Sequence, residues 1–196
     1  MKQLVLGSLL AAVVLFFWGF VFWGLLPNPG FQEPANEEAV WQSLDENLPE
    51  TGAYYIPDPE GDSESVARHE SGPTAFLFVR NQGSPVMSVS MMAFGFVHMF
   101  ITALLIGLLL RQASPRLPTY GKRVLFVVLV GAVATFWFDI AWPVWWRTPW
   151  TFFLWMAVYD LVAWTLAGVV LARFVQPMRG TQPLGVESMR TSEAPG

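Results

Sequence analysis

The stretch Leu4-Val-Leu-Gly-Ser-Leu-Leu-Ala-Ala-Val-Val-Leu-Phe-Phe-Trp-Gly-Phe-Val-Phe-Trp-Gly-Leu-Leu26 holds no charged side chain in 23 residues. At about 1.5 Å per residue, a helix of this length covers the roughly 30 Å hydrocarbon layer of a bilayer. The run is longer than the ~7–15 residue core of a cleaved signal peptide, and no small-x-small site follows it, so it reads as a retained signal-anchor. Pro27, Pro29 and Gly30 stop the helix, and Trp18 and Trp23 are set toward an interface, where indole rings prefer to lie.

Three further runs of the same kind lie at 87–110, 124–142 and 151–175. They account for a composition that is 54% apolar and only 13% charged, with 16 Phe and 10 Trp. The sequence therefore predicts an all-α membrane protein of four transmembrane helices, beginning with 1–26, and a small α+β extracytoplasmic cap over 27–86 between helices one and two. A basic cytoplasmic loop is expected at 111–123, an outer aromatic turn at 143–150 and a disordered tail at 176–196. There are no cysteines, which removes disulfides, thiolate catalysis and Cys-held metal centres.

The cap segment carries 11 of the 15 acidic residues, yet it also has pattern. Asn36 can cap a helix, Glu37 and Glu38 suit its positive end, and Ala39, Val40, Leu44 and Leu48 recur at helical spacing with Trp41 alongside. That pattern predicts a helix over 37–47. Aromatic and β-branched runs at 52–58 and 74–80 predict a hairpin, with the polar stretch 60–72 as a long mobile connection. Two strands and one helix bury too little to stand alone, so the cap must rest on the helices or on a partner.

Orientation follows from Lys and Arg near the helix ends. Lys2, Arg111, Arg116, Lys122, Arg123, Arg173, Arg179 and Arg190 fall on one side, against Arg68, Arg80 and Arg147 on the other. The rule places both termini in the cytoplasm and the cap outside.

Three titratable residues fall within the apolar runs: His98, Asp139 and Asp160. An ionisable group there is costly and marks a candidate functional site. Helical spacing gives each a stripe of small or polar companions: Gly95 and Thr102 with His98, Gly131 and Thr135 with Asp139, and Ala157, Ala163 and Ala167 with Asp160. Such stripes mark surfaces that face other helices, so all three residues are expected to point inward. Helix one offers a further small-residue surface in Gly7, Ser8, Ala11 and Ala12. Counted along the helices, His98 and Asp160 lie at similar depth, about 13 Å, with Asp139 about 6 Å down. His98 and Asp160 are therefore expected to pair, with Asp139 nearer the mouth.

The set suits either a proton or cation site or the structural joining of three helices. One imidazole and two carboxylates at unequal depth are too few for a metal, so none is predicted. No cofactor is predicted either. His98 with Met92 or Met99, and the ten tryptophans, leave haem, quinone or pigment contact open. No G-x-S-x-G, P-loop, H-E-x-x-H or dinucleotide fingerprint occurs, so no catalytic residue is assigned. His69-Glu70-Ser71 reads as chance in a flexible connection.

The chain resembles a family of small four-helix bacterial inner-membrane proteins with no assigned activity. The resemblance lies in Trp18-Gly-Phe-Val-Phe-Trp-Gly-Leu-Leu-Pro27, Tyr54-Tyr-Ile-Pro57, Gly72-Pro-Thr-Ala-Phe-Leu-Phe-Val-Arg80, Pro85-Val-Met-Ser88 and Trp164-Thr-Leu-Ala-Gly168. It implies bacterial origin, an inner-membrane location with the cap in the periplasm, and an acid in place of His98 in many relatives. It transfers no functional residue. Two functions follow as expectations: a non-catalytic accessory or assembly subunit of a larger membrane complex, or a small proton- or cation-coupled carrier using His98, Asp139 and Asp160. The partners expected are the bilayer, other membrane-protein subunits or further copies of the chain, and no nucleic acid.

Overall fold

Each long helix begins or ends where the sequence supplies a chemical reason. The computed structural model describes residues 1–176, and the expected disordered tail lies outside the described residues from 177 onward. Helix α1 (Lys2–Gly24) leads into α2 (Glu37–Asn47), β1 (Gly52–Ile56), α3 (Ser63–Ser71) and β2 (Ala75–Val79). Then come α4 (Val89–Ala113) with a short 3-10 turn (Ser114–Arg116), α5 (Tyr120–Asp139), α6 (Ala141–Trp145) and α7 (Trp150–Phe174). Side-chain oxygens of Asn36, Asp62, Ser88 and Thr119 accept a first-turn N–H of α2, α3, α4 and α5, respectively. Four helical stretches are long and apolar enough to cross a membrane: Lys2–Gly24, Val89–Arg116, Tyr120–Trp145 and Trp150–Phe174. These are the makings of a multi-pass membrane protein.

The third long helix departs from the expected pattern. Pro143 does not end a straight helix at 142. The break falls at Asp139 and Ile140, and Pro143 sits buried within α6. A proline lacks the N–H that would reach back four residues, and its ring crowds the carbonyl at that position, which here is Asp139. The disruption therefore appears four residues before the proline that causes it.

The four long helices pack in the order α4, α1, α7, α5. Helix α1 lies between α4 and α7 because its buried stripe is built from small residues, with Gly7, Ser8, Ala11 and Ala12 between Leu4 and Leu15. A Cβ on Gly7 would lie 2.7 Å from Phe174 Cβ, and one on Gly107 of α4 would lie 2.7 Å from Leu4 Cδ1. The apolar core gathers Leu4, Ala11, Leu15, Ile106, Leu110, Val127 and Leu171 in the half of the bundle away from the cap. In the other half, Phe22 stacks on Trp155 at 4.6 Å between ring centroids and touches Tyr159 at 5.0 Å. The Trp18 indole N–H donates to the Tyr159 carbonyl at 3.1 Å.

In the cap, β1 and β2 pair antiparallel, with Tyr55 opposite Phe76 and Ala53 opposite Phe78. That face rests on the bundle. Phe76 meets Trp142 and Trp146, both at 5.4 Å, Tyr55 meets Trp146 at 5.8 Å, and Trp142 stacks on Phe153 at 5.7 Å. On the other face, Leu77 and Val79 share a shallow groove with Trp41 and Leu44 of α2.

The stretch 60–72 is not the long mobile connection the sequence suggested. It contains α3, capped by Asp62, braced by the Ser65 hydroxyl donating to the Asp58 carbonyl at 2.8 Å, and ended by Gly72 at φ 72°. Val66 and Ala67 are its only aliphatic residues, so hydrophobic spacing gave no helical signal.

Candidate functional site

Helices α4 and α5 barely touch, because each leans on the α1/α7 pair rather than on the other. The gap is a cavity of about 390 Å³. His98 and Thr102 line it from α4, Phe138 from α5, and Tyr159, Asp160 and Trp164 from α7. Its wall is mainly apolar with a few polar groups, the usual character of a site that receives a ligand or a partner's side chain.

The three ionisable candidates differ in setting. Asp139 is 1% exposed, Asp160 is half-buried on the cavity wall, and His98 is exposed. The expected His98–Asp160 pair does not form. Among the described residues the one ion pair is Arg68 with Glu64 in the cap, and Asp160 instead brings its carboxyl within hydrogen-bonding reach of Asp139. The reason is geometric: α7 packs along the whole of α5, whereas α4 stands across the cleft. Thr135, 4% exposed, lies one helical turn from Asp139 on the same buried stripe as Gly131. Neither Thr135 Oγ1 nor Asp139 Oδ2 has a hydrogen-bond partner.

The small companions also divide. Gly131 is pressed so closely on α7 that a Cβ there would lie 2.0 Å from Trp164 Cγ, while a Cβ on Gly95 would meet nothing within 4 Å. Ala11, Ala157 and Ala167 are buried, and Ala163 lines the cavity. Gly95, expected at a helix-facing surface, thus opens on empty space.

Sequence reasoning missed two residues. Arg123 was counted only as a loop charge, yet it is 7% exposed. Its Nε donates to the Ala172 carbonyl at 3.2 Å, and its Nη1 donates to those of Leu117 and Pro118 at 3.2 and 3.3 Å. It satisfies carbonyls that the C-terminus of α7 and the α4–α5 turn leave free. Nothing in the spacing separates it from its neighbour Lys122. Tyr159 was the other omission, and its signal was available: it precedes Asp160 and lies four residues after Trp155. In the cap, His69 is held rather than stray, with Nδ1 donating to the Pro57 carbonyl at 2.9 Å and its ring edge-on to Tyr55 at 5.0 Å. Among the described residues, no group of three or more His, Cys, Asp or Glu side chains could hold a metal ion.

Fold and cavity together define a class: a multi-pass, four-helix chain of membrane type with a small α+β cap and a lateral cleft lined by ionisable groups. No protein-family model, curated protein or solved structure matches the chain.

Proposed function

We propose that the protein is a non-catalytic accessory or assembly subunit of a larger bacterial membrane complex, and that the α4/α5 cleft receives a helix of a partner subunit. The observation that carries this reading is the setting of His98. An exposed imidazole beside Thr102 and across from Asp160, on the open flank of an apolar bundle, is costly to leave against lipid. A partner helix bearing a basic or hydrogen-bonding side chain would remove that cost and fill the flank that α5 leaves open. The aromatic cap end adds to this surface, since Trp137 and Trp145 are 81% and 79% exposed.

The finer topology belongs to the same proposal. With basic residues gathered where α1 begins, α4 ends, α5 begins and α7 ends, both termini lie in the cytoplasm and the cap lies in the periplasm of the inner membrane. The rival, a small proton- or cation-coupled carrier, would draw on the same three ionisable residues, and the contact between Asp139 and Asp160 is what speaks for it.

The test is extraction from the native membrane in mild detergent, separation on a native gel and mass spectrometry of co-migrating chains. The native chain is expected to co-migrate with a larger complex, and the His98→Leu, Asp160→Leu double variant to migrate apart from it with its helical content unchanged. Migration of the native chain as a small homo-oligomer would overturn the accessory reading in favour of the carrier.

A further inference from the structure

Two carboxyl groups meet inside the protein where α5 packs on α7. Asp139, from the last turn of α5, is 1% exposed with one oxygen unpartnered, and the carboxyl of Asp160 lies within hydrogen-bonding reach of it. Asp160 lines the cleft and Asp139 does not, so of the two only Asp160 is reached from the cavity. A further buried polar group lies nearby on the same helix. The Thr135 hydroxyl, one turn away on the same buried stripe of α5, is 4% exposed and has no partner.

The surroundings supply no positive charge to hold two anions. From α7 the neighbouring titratable groups are Tyr159 and Asp160, from α4 it is His98 across the cleft, and α1 contributes Leu15 to the wall. Among the described residues no lysine or arginine lines the cavity, and α6 carries no titratable side chain. Two adjacent carboxylates shielded from water repel strongly, and a buried acceptor without a donor adds to the cost. One proton relieves both: it forms an O–H bond on one carboxylate, which then donates to the other.

We propose that Asp139 and Asp160 bind one proton in common, with Asp160 serving as the entry from the cleft. Uptake of one proton from water takes the pair from two negative charges to one, and no other reactant is needed. The site lies behind the cleft rather than in it, so the inference does not rest on the accessory-subunit reading. A chain that migrates alone could still carry the proton, and a chain in a complex could lack it.

The test is infrared difference spectroscopy of the full chain in neutral phospholipid vesicles during a pH step. The native protein should give a carboxylic-acid carbonyl band that shifts in heavy water. The band should be lost or displaced in both Asp139→Asn and Asp160→Asn, because each removes one partner of the shared proton. Absence of the band in the native protein, its survival unshifted in either asparagine variant, or its replacement by a response to sodium at constant pH would overturn the proposal. Should the variants fail to fold, the native chain decides the matter by treatment with an apolar carbodiimide, which modifies protonated carboxyls in lipid-facing cavities. Adducts located by mass spectrometry on Asp160 or Asp139 support the shared proton, and their absence overturns it.

Discussion

Helix α5 presents two sides to its neighbours, and they are opposites. Toward α7 it forms a closed seam in which Gly131 receives the Trp164 ring, Gly168 comes within reach of the Val124 carbonyl, and Arg123 and Tyr120 bond to carbonyls of α7. Toward α4 it forms almost nothing, and the space between is an open cleft with His98 and Thr102 on its far wall. The closed flank is not the more apolar one, since its buried stripe carries Arg123, Thr135 and Asp139 beside Val127 and Gly131, whereas α5 lines the cleft with Ala134 and Phe138. What separates them is where small residues face large ones: a glycine opposite a tryptophan draws two backbones together, whereas Gly95 on α4 has no side chain opposite it.

The seam should therefore be far more sensitive to added volume than the cleft. Gly131→Ala places a Cβ 2.0 Å from Trp164 Cγ and 2.4 Å from its Cβ, so the ring and the backbone carrying it must both move. Overpacking of this kind costs roughly 3 kcal/mol. Denaturant unfolding in detergent, followed by helical circular dichroism, should show the midpoint fall sharply. An unchanged midpoint would break the contrast between the two flanks. Next in size is Arg123→Gln, which withdraws a charged donor from three carbonyls at one end of the same seam. The loss should be about 2 kcal/mol on the same assay, and Arg123→Lys should recover only part of it, because an ammonium cannot reproduce the planar fork.

How much of this was legible in the sequence depends on the range over which each signal acts. The helix starting after Asn36 and the pairing of the two aromatic runs were readable, because capping and alternation are local. Helix α3 was not, since its stability comes from Asp62, Gly72 and contacts of His69 with Tyr55 and Pro57 rather than from an apolar stripe. The ionisable residues could be named, and equal depth along two helices suggested that His98 meets Asp160. Depth is only one coordinate. Which helices are neighbours is set by packing, and with α7 against α5 the carboxyl of Asp160 meets Asp139 instead. For the same reason Arg123 could be counted as a charge but not seen as a clamp.

The cap offers a milder comparison, since its hairpin meets the bundle through aromatic rings. Phe76→Ala removes the side chain that touches Tyr55, Phe78, Trp142 and Trp146 together. Loosening of the hairpin by about 1.4 kcal/mol corresponds to a tenfold rise in amide hydrogen exchange across β1 and β2. The four long helices should keep their exchange rates. Equal acceleration in α7 would mean that the cap and bundle open as one unit and that the rings couple them more firmly than their exposure suggests.

Gly95→Leu is expected to have the smallest effect on the isolated chain and is the most informative about the cleft. A Cβ at this position meets nothing within 4 Å, and leucine favours a helix over glycine by roughly 0.5–1 kcal/mol, so stability in detergent should hold or rise slightly. The residue lies one turn from His98 toward the cap end of α4, so its new side chain enters the space a partner helix would need. Co-migration with the proposed larger complex should therefore fall while the unfolding midpoint does not, a separation that Gly131→Ala cannot produce. If Gly95→Leu leaves co-migration intact, the partner does not use this part of α4, and the open flank belongs to lipid or to a smaller ligand reaching His98 and Asp160. If it destabilises the isolated chain as Gly131→Ala does, α4 and α5 close on each other in solution, and the two flanks of α5 are alike after all.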